Sequence, residues 1–158
     1  MHVIVATDGS KQSLTAAKYL MTMADPAQVS DVSVIAVVRP LAAVGFADDL
    51  SDIRTRSDDP QFGSFQEAAQ HAVQVIADAL ADWGPKVHKR VRSGSPANEI
   101  IKAATQLDAG LVVVASGSRG ISETVLLGST AQRVQQYAPC PVLVVRPKPR
   151  KKRAVKNG

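Results

Sequence analysis

The run Leu111-Val112-Val113-Val114-Ala115-Ser116-Gly117-Ser118-Arg119-Gly120 continues as Ile121-Ser122-Glu123-Thr124-Val125-Leu126-Leu127-Gly128-Ser129-Thr130 and leads into Ala131 to Tyr137. Its first five residues are apolar and mostly β-branched without alternation, the pattern of a strand buried on both faces. Ala131 to Tyr137 is compatible with a helix. The residues between therefore form a strand-to-helix turn. Gly117 and Gly120 let backbone amides approach an anion with no Cβ in the way, and Gly128-Ser129-Thr130 adds free N–H groups and hydroxyls at a helix start. The first reading is a phosphate cradle. Ser129-Thr130-Ala131-Gln132 also fits a capping box, in which Ser129 would only cap its own helix.

Working outward, 158 residues with 45% hydrophobic content suit one soluble domain with a real core. No run reaches the roughly 18 apolar residues of a membrane span, and no charged-then-apolar leader precedes the first strand, so a cytoplasmic location is expected. The one cysteine, Cys140, cannot form an internal disulfide; it has no His or Lys beside it and reads as a small buried hydrophobe rather than a reactive thiol. Seven of the 19 basic residues fall between Arg146 and Gly158, which leaves 12 basic against 14 acidic residues before them. The body is thus mildly acidic, and the net charge of +5 belongs to the end of the chain. Residues 147–158 are expected to be a solvated, disordered basic tail. Nucleic acid is not expected as a partner except through that tail, which has no aromatic residue for base stacking.

Val3 to Ala6 is a short apolar run that stops in Thr7-Asp8-Gly9-Ser10. Ser10 is a candidate N-cap for a helix carrying Leu14, Ala17, Met21 and Ala24 on one face, ended by Pro26. Val32 to Val38 is the second strand. Periodicity is lost from Leu41 to Gly63, where five acids lie between Asp48 and Asp59; an acidic loop is expected there. A helix resumes near Ser64, with Ala69, Ala72, Val73, Ile76, Leu80 and Trp83 along one face. Lys86 to Arg92 alternates and is polar enough to belong at a sheet edge. Pro96 starts a helix with Ile100, Ile101, Ala104 and Leu107 facing inward, and Gly110 reads as its stop. Val142 to Val145 is the last strand. Five strands alternating with four helices argue an α/β protein with an open parallel sheet and right-handed crossovers.

In such sheets ligands bind beyond the carboxyl ends of the strands, where the strand order reverses. The Asp8 turn and the Gly117 to Ser129 stretch are built for that place. If strands one and four are neighbours, an acid on one side can hold ribose or adenine while amides, Arg119 and the Ser129 and Thr130 hydroxyls hold phosphate. Taken alone, Asp8 reads as a turn residue. No Gly-Lys-Ser/Thr loop, no Gly-x-Gly-x-x-Gly after the first strand, no nucleophile–base set and no metal-ligand spacing is present. His2, His71 and His88 have no evident partner. Asp8 near a triphosphate is a candidate to bind Mg²⁺. A binding module is favoured over a catalyst.

The opening Val3-Ile4-Val5-Ala6-Thr7-Asp8-Gly9-Ser10, the Gly94-Ser95-Pro96-Ala97 turn, Gly117-Ser118-Arg119-Gly120, Leu126-Leu127-Gly128-Ser129 and Ala138-Pro139-Cys140-Pro141 before the last strand together resemble the universal stress protein (UspA) domain. The resemblance covers residues 1–146. It implies a Rossmann-like, adenine nucleotide alpha hydrolase-like fold: a five-stranded parallel sheet of order 3-2-1-4-5 with helices on both faces. It implies ATP or another adenine nucleotide as ligand in one branch of the family, and homodimers through the last strand, here Val142, Leu143, Val144 and Val145. Carried over by position, Ala6, Thr7, Asp8 and Val37 would meet the nucleoside, and Ser116, Gly117, Arg119, Gly120, Gly128, Ser129 and Thr130 the phosphates. The nucleotide branch has nine residues between its second and third glycines. Here seven stand between Gly120 and Gly128, which shortens the loop's reach by up to ~7 Å. The expected role is a stress-response regulator. A dimer that works through protein partners without nucleotide and a slow ATPase are the alternatives.

Overall fold

The computed structural model describes residues 1–40, 60–117 and 127–148; of the helical residues 60–63 only the backbone is described. The strands are β1 (His2–Thr7), β2 (Asp31–Val38), β3 (Lys86–Ser93), β4 (Ala109–Ala115) and β5 (Val142–Val145). The helices are α1 (Lys11–Met23), α2 (Pro60–Leu80), α3 (Pro96–Gln106) and α4 (Ser129–Tyr137). All strand pairs are parallel and the sheet order is β3-β2-β1-β4-β5, as the resemblance implied.

Strand alternation divides the core into two layers. Val3, Val5, Val32, Val34 and Val113 point into one, against Leu20 of α1 and Ile76 and Leu80 of α2. Ile4, Ile35, Val112 and Val114 point into the other, against Ile100 and Ala103 of α3 and Val134 of α4. A strand that buries both faces has no room for polar alternation, so β1, β2 and β4 read as continuous apolar runs. Burying one side chain such as Leu20, which has no exposed surface, contributes on the order of 1.5–3 kcal/mol.

The helix ends follow from local chemistry. Ser10 caps α1, its hydroxyl accepting from the Ser13 N–H at 3.2 Å. α2 starts at Pro60, ahead of the expected Ser64; proline is tolerated in a first turn, where its missing N–H has no partner to lose. On α3 the buried face is Ala97, Ile100, Ala103 and Ala104, with Ile101 and Leu107 only partly covered. Gly110 is not the stop. Asp108 makes that turn at φ 49°, a conformation that Asp tolerates better than most residues. Gly110 lies inside β4, where an added Cβ would stand 3.0 Å from Met1 Cβ.

Two histidines have partners that the sequence did not disclose. On the α3–α4 side of the sheet, His88 Nε2 lies 2.9 Å from Asp31 Oδ1 and His2 Nε2 lies 2.8 Å from the Ser33 hydroxyl. The two rings stack at 6.2 Å, and Arg90 Nε donates to the same Ser33 oxygen at 3.2 Å. Partial burial holds the His2 pKa below its ordinary value, with His88 and Arg90 adding to the effect and Asp31 opposing it. The hydrogen bonds from His88 and Ser30 lower the Asp31 pKa. Unfolded His2 takes a proton near pH 6.5, while folded His2 resists until lower pH. Stability should therefore be full above that pH and decline as pH falls toward the folded pKa. A further loss should follow in the carboxylate range as Asp31 and Glu99, both lowered, are protonated. Urea midpoints measured from pH 7.5 to 5 should fall for the wild type and fall less for His2→Gln; equal slopes would exclude His2 as the source.

Candidate functional site

The chain runs from β1 outward through β2 to β3, then returns to the other side of β1 as β4. The connections leaving β1 and β4 thus diverge, and a corner opens beyond their carboxyl ends. Thr7 pairs with Ala36 and Val5 pairs with Val113; carried two residues further, the second register sets Thr7 beside Ala115. The next residue along the three strands is Val37, Asp8 and Ser116.

The β1 side of the corner is a rigid turn. Thr7 Oγ1 lies 2.8 Å from the Ser13 hydroxyl and accepts from the Gly9 N–H at 3.1 Å. The Ser13 hydroxyl donates to Ser10 O at 2.7 Å. Gly9 has φ 81°, where a Cβ would be strained. Asp8 Oδ1 accepts from the Ser10 N–H at 2.9 Å, so the turn fixes the carboxylate while leaving the residue exposed. Ser13, whose buried hydroxyl orients Thr7, gave no sign of this in the sequence: a serine on an apolar helix face reads as filler until its strand partner is known.

The β4 side is defined by two glycines in contact. Gly117 has φ 112°, and a Cβ on it would meet Gly128 Cα at 3.2 Å and Gly128 N at 3.3 Å. The Gly128 N–H donates to Ser116 O at 2.6 Å and the Ser116 N–H donates to Val145 O at 3.0 Å. Gly128 is the N-cap of α4 and has no side-chain capping bond. The capping box is therefore not formed: Ser129 is the first helical residue, not the cap. The N–H groups of Ser129, Thr130 and Ala131 lack intrahelical acceptors, as the first turn of any α-helix does, and they carry the positive end of the helix dipole.

Of the residues expected in the site, Asp8 and Ser116 directly follow β1 and β4, Val37 lies near the end of β2, Gly117 packs against Gly128, and Ser129 and Thr130 open α4. Ala6 and Val37 are half-buried and pack against the α3–α4 core layer. Thr7 is buried with its hydroxyl held inside its own turn. Arg119 and Gly120 lie outside the described residues, as do most of the acidic loop and the tail from residue 149. Among the described residues no group of three His, Cys, Asp or Glu is placed to hold a metal ion. Cys140 is half-buried, and burial raises its thiol pKa, away from the reactive thiolate.

These features define an open parallel α/β domain with its candidate site at the switch point between β1 and β4: hydrogen-bond donors on one side, a carboxylate on the other. The universal stress protein family model matches residues 1–146. The chain belongs to that family. It is 34% identical over 153 residues to universal stress protein MJ0531 of Methanocaldococcus jannaschii, covering 94% of this chain and 83% of the relative. Among solved structures, the hypothetical protein MJ0577 superposes with a TM-score of 0.74 at 23% identity, over 93% of this chain and 96% of that one. A universal stress protein in complex with cAMP gives 0.66 at 21% identity, over 92% and 96%. A universal stress protein family protein from Arabidopsis thaliana with AMP bound gives 0.63 at 14%, over 98% and 97%. At these identities the structural likenesses show the fold alone.

The two glycines make different demands. Gly117→Ala places a Cβ at φ 112° and against Gly128 backbone, and should destabilise the protein by roughly 1–3 kcal/mol. Gly128 has φ −64°, open to any residue, and its Cβ would meet Ser116 O at 3.3 Å. Gly128→Ala should cost less than about 1 kcal/mol. Urea unfolding of the two variants checks the order; equal losses would contradict it.

Proposed function

We propose that this chain binds an adenine nucleotide, ATP foremost, in the corner between the Asp8 turn and the start of α4, and that it acts as a stress-response regulator. The observation that carries the reading is the Gly117–Gly128 contact, which brings backbone beside an uncapped helix start. Phosphate is favoured there by free amides and by the helix dipole. The nucleoside would lie along Asp8, Val37 and Ser116, with Ala6 and Val37 offering apolar contact. Thr7 contributes by shaping the turn. Arg119 and Gly120 are assigned to the phosphates on the family's pattern. Mg²⁺, where present, would enter with the nucleotide and meet Asp8. The cAMP and AMP held by the two universal stress protein structures support an adenine ligand. No helix of the described residues is long and apolar enough to cross a membrane, and the proposed setting is the cytoplasm. Residues 1–146 are the proposed domain, with 147–158 as its basic tail.

Calorimetric titration with ATP, ADP, AMP and cyclic AMP tests the ligand. ATP should bind, and ATP at about 100 times its Kd should stabilise the protein by about 2.7 kcal/mol. Asp8→Ala should weaken all four nucleotides. Absence of both heat and melting shift at millimolar concentrations would leave the nucleotide-free dimer as the better reading. Phosphate release above background, lost in Asp8→Ala, would favour the slow ATPase.

A homodimer through β5 is proposed on separate grounds. β5 is the outer strand beyond β4, all four of its residues are apolar, and Val142, Leu143 and Val144 are only half-buried. An apolar sheet edge invites pairing with another chain, and a second copy is the simplest cover. Sedimentation at tens of micromolar should show a dimer if affinity is near ~1 μM, and Val144→Lys should shift it to monomer. A wild-type monomer under those conditions would refute the interface.

A further inference from the structure

Four polar side chains are buried among the described residues: Thr7, Ser13, Ser33 and Ser116. Thr7 and Ser13 bond each other, and Ser33 is bonded by His2 and Arg90. Ser116 has no exposed surface, and its hydroxyl has no hydrogen-bond partner among the described residues. A buried hydroxyl left unpaired destabilises a fold, and such groups need a specific explanation.

The direction of the side chain follows from the ladder. The Val112 N–H donates to Pro141 O at 3.0 Å, and four residues on the Ser116 N–H donates to Val145 O at 3.0 Å. The spacing of four keeps the strand's alternation in phase, so Ser116 projects to the same side of the sheet as Val112 and Val114. That side holds Ala6 and Val37. The family pattern groups Ser116 with the phosphates; the phase groups it with Ala6 and Val37, which are assigned to the nucleoside, instead. Gly117, next in the chain, is the residue that touches Gly128 at the head of α4.

We propose that the Ser116 hydroxyl hydrogen-bonds the nucleoside half of the ligand, and that binding satisfies a group without a partner among the described residues. The inference rests on the adenine-nucleotide reading above. A serine hydroxyl donates one hydrogen bond and accepts others, which suits either a ribose hydroxyl or a base edge.

The test is competition against a fluorescent ATP analogue with wild type and Ser116→Ala, using adenosine, AMP, ATP and inorganic tripolyphosphate. Ser116→Ala should weaken adenosine, AMP and ATP by the same factor, about 3- to 10-fold for one hydrogen bond. Whatever affinity the wild type has for tripolyphosphate should be unchanged. The melting temperature of the free variant should rise by about 2–4 °C, since the unpaired hydroxyl is gone. Ser116→Cys, a weaker donor of similar size, should give a smaller loss and serves if the alanine variant does not fold. A loss confined to ATP and tripolyphosphate would return Ser116 to the phosphates and overturn the proposal. Unchanged affinity for every competitor, with or without a melting shift, would overturn it as well. A wild type that binds none of the four would defeat the nucleotide reading itself, a result distinct from parity between wild type and variant.

Discussion

Everything in this domain depends on β1 being apolar on both faces and paired on both edges. Val3, Ile4 and Val5 have no exposed surface, which requires a helix layer above and below and a strand on either side. The chain meets that requirement by building β2 and β3 on one side and then crossing back to lay β4 and β5 on the other. The reversal is a consequence of burying β1, and the corner beyond Thr7 and Ala115 is a consequence of the reversal. The candidate site is thus placed by core packing before any of its own residues is considered.

What the corner holds depends on turn chemistry of a different kind. Thr7, Ser10 and Ser13 tie the end of β1 to the first turn of α1 through bonds of 2.7 to 3.2 Å. The Asp8 carboxylate is bound to the Ser10 amide across the same turn. Across the corner, no side-chain hydrogen bond caps the start of α4 among the described residues, and two glycine backbones are in contact there. One wall is therefore cross-linked by hydroxyls and the other is bare backbone, an asymmetry that suits a ligand with a nucleoside at one end and anionic oxygens at the other.

The sheet was legible in the sequence because burial on two faces removes polar alternation from β1, β2 and β4, while the charges of Lys86 to Arg92 restrict β3 to an edge. Pro96 and Ser10 announced two helix starts for reasons internal to each segment. Several misreadings concern residues whose behaviour is decided by something distant in sequence. Gly110 looked like a helix stop because the preceding Asp108 had already made the turn and Met1, from the other end of the chain, covers the glycine. Ser129 looked like a cap because the contact that makes Gly128 the cap comes from Ser116 and Gly117, eleven or more residues earlier. His2 and His88 meet only when β1, β2 and β3 are aligned. Of the site, the Asp8 turn and the glycines were readable from their motifs, whereas Ser13 and the unpaired Ser116 hydroxyl were not.

Where local rules are broken is itself informative. Positive φ at glycine is not the distinguishing feature, since Gly84 and Gly94 share it with Gly9 and Gly117. More telling are a buried hydroxyl without a partner among the described residues and the close backbone contact that also sets Gly128 as the cap of α4. Other helix starts differ among themselves: Ser10 and Asp25 accept from the amides they cap, whereas α3 begins with Pro96 and has no side-chain capping bond from Ser95. Among the described residues, the unpartnered hydroxyl and the glycine backbone contact both lie at Ser116, Gly117 and Gly128. Both stand on one wall of the corner that the strand order opens, and an incoming polar ligand gains most where a hydrogen-bonding group has no other partner.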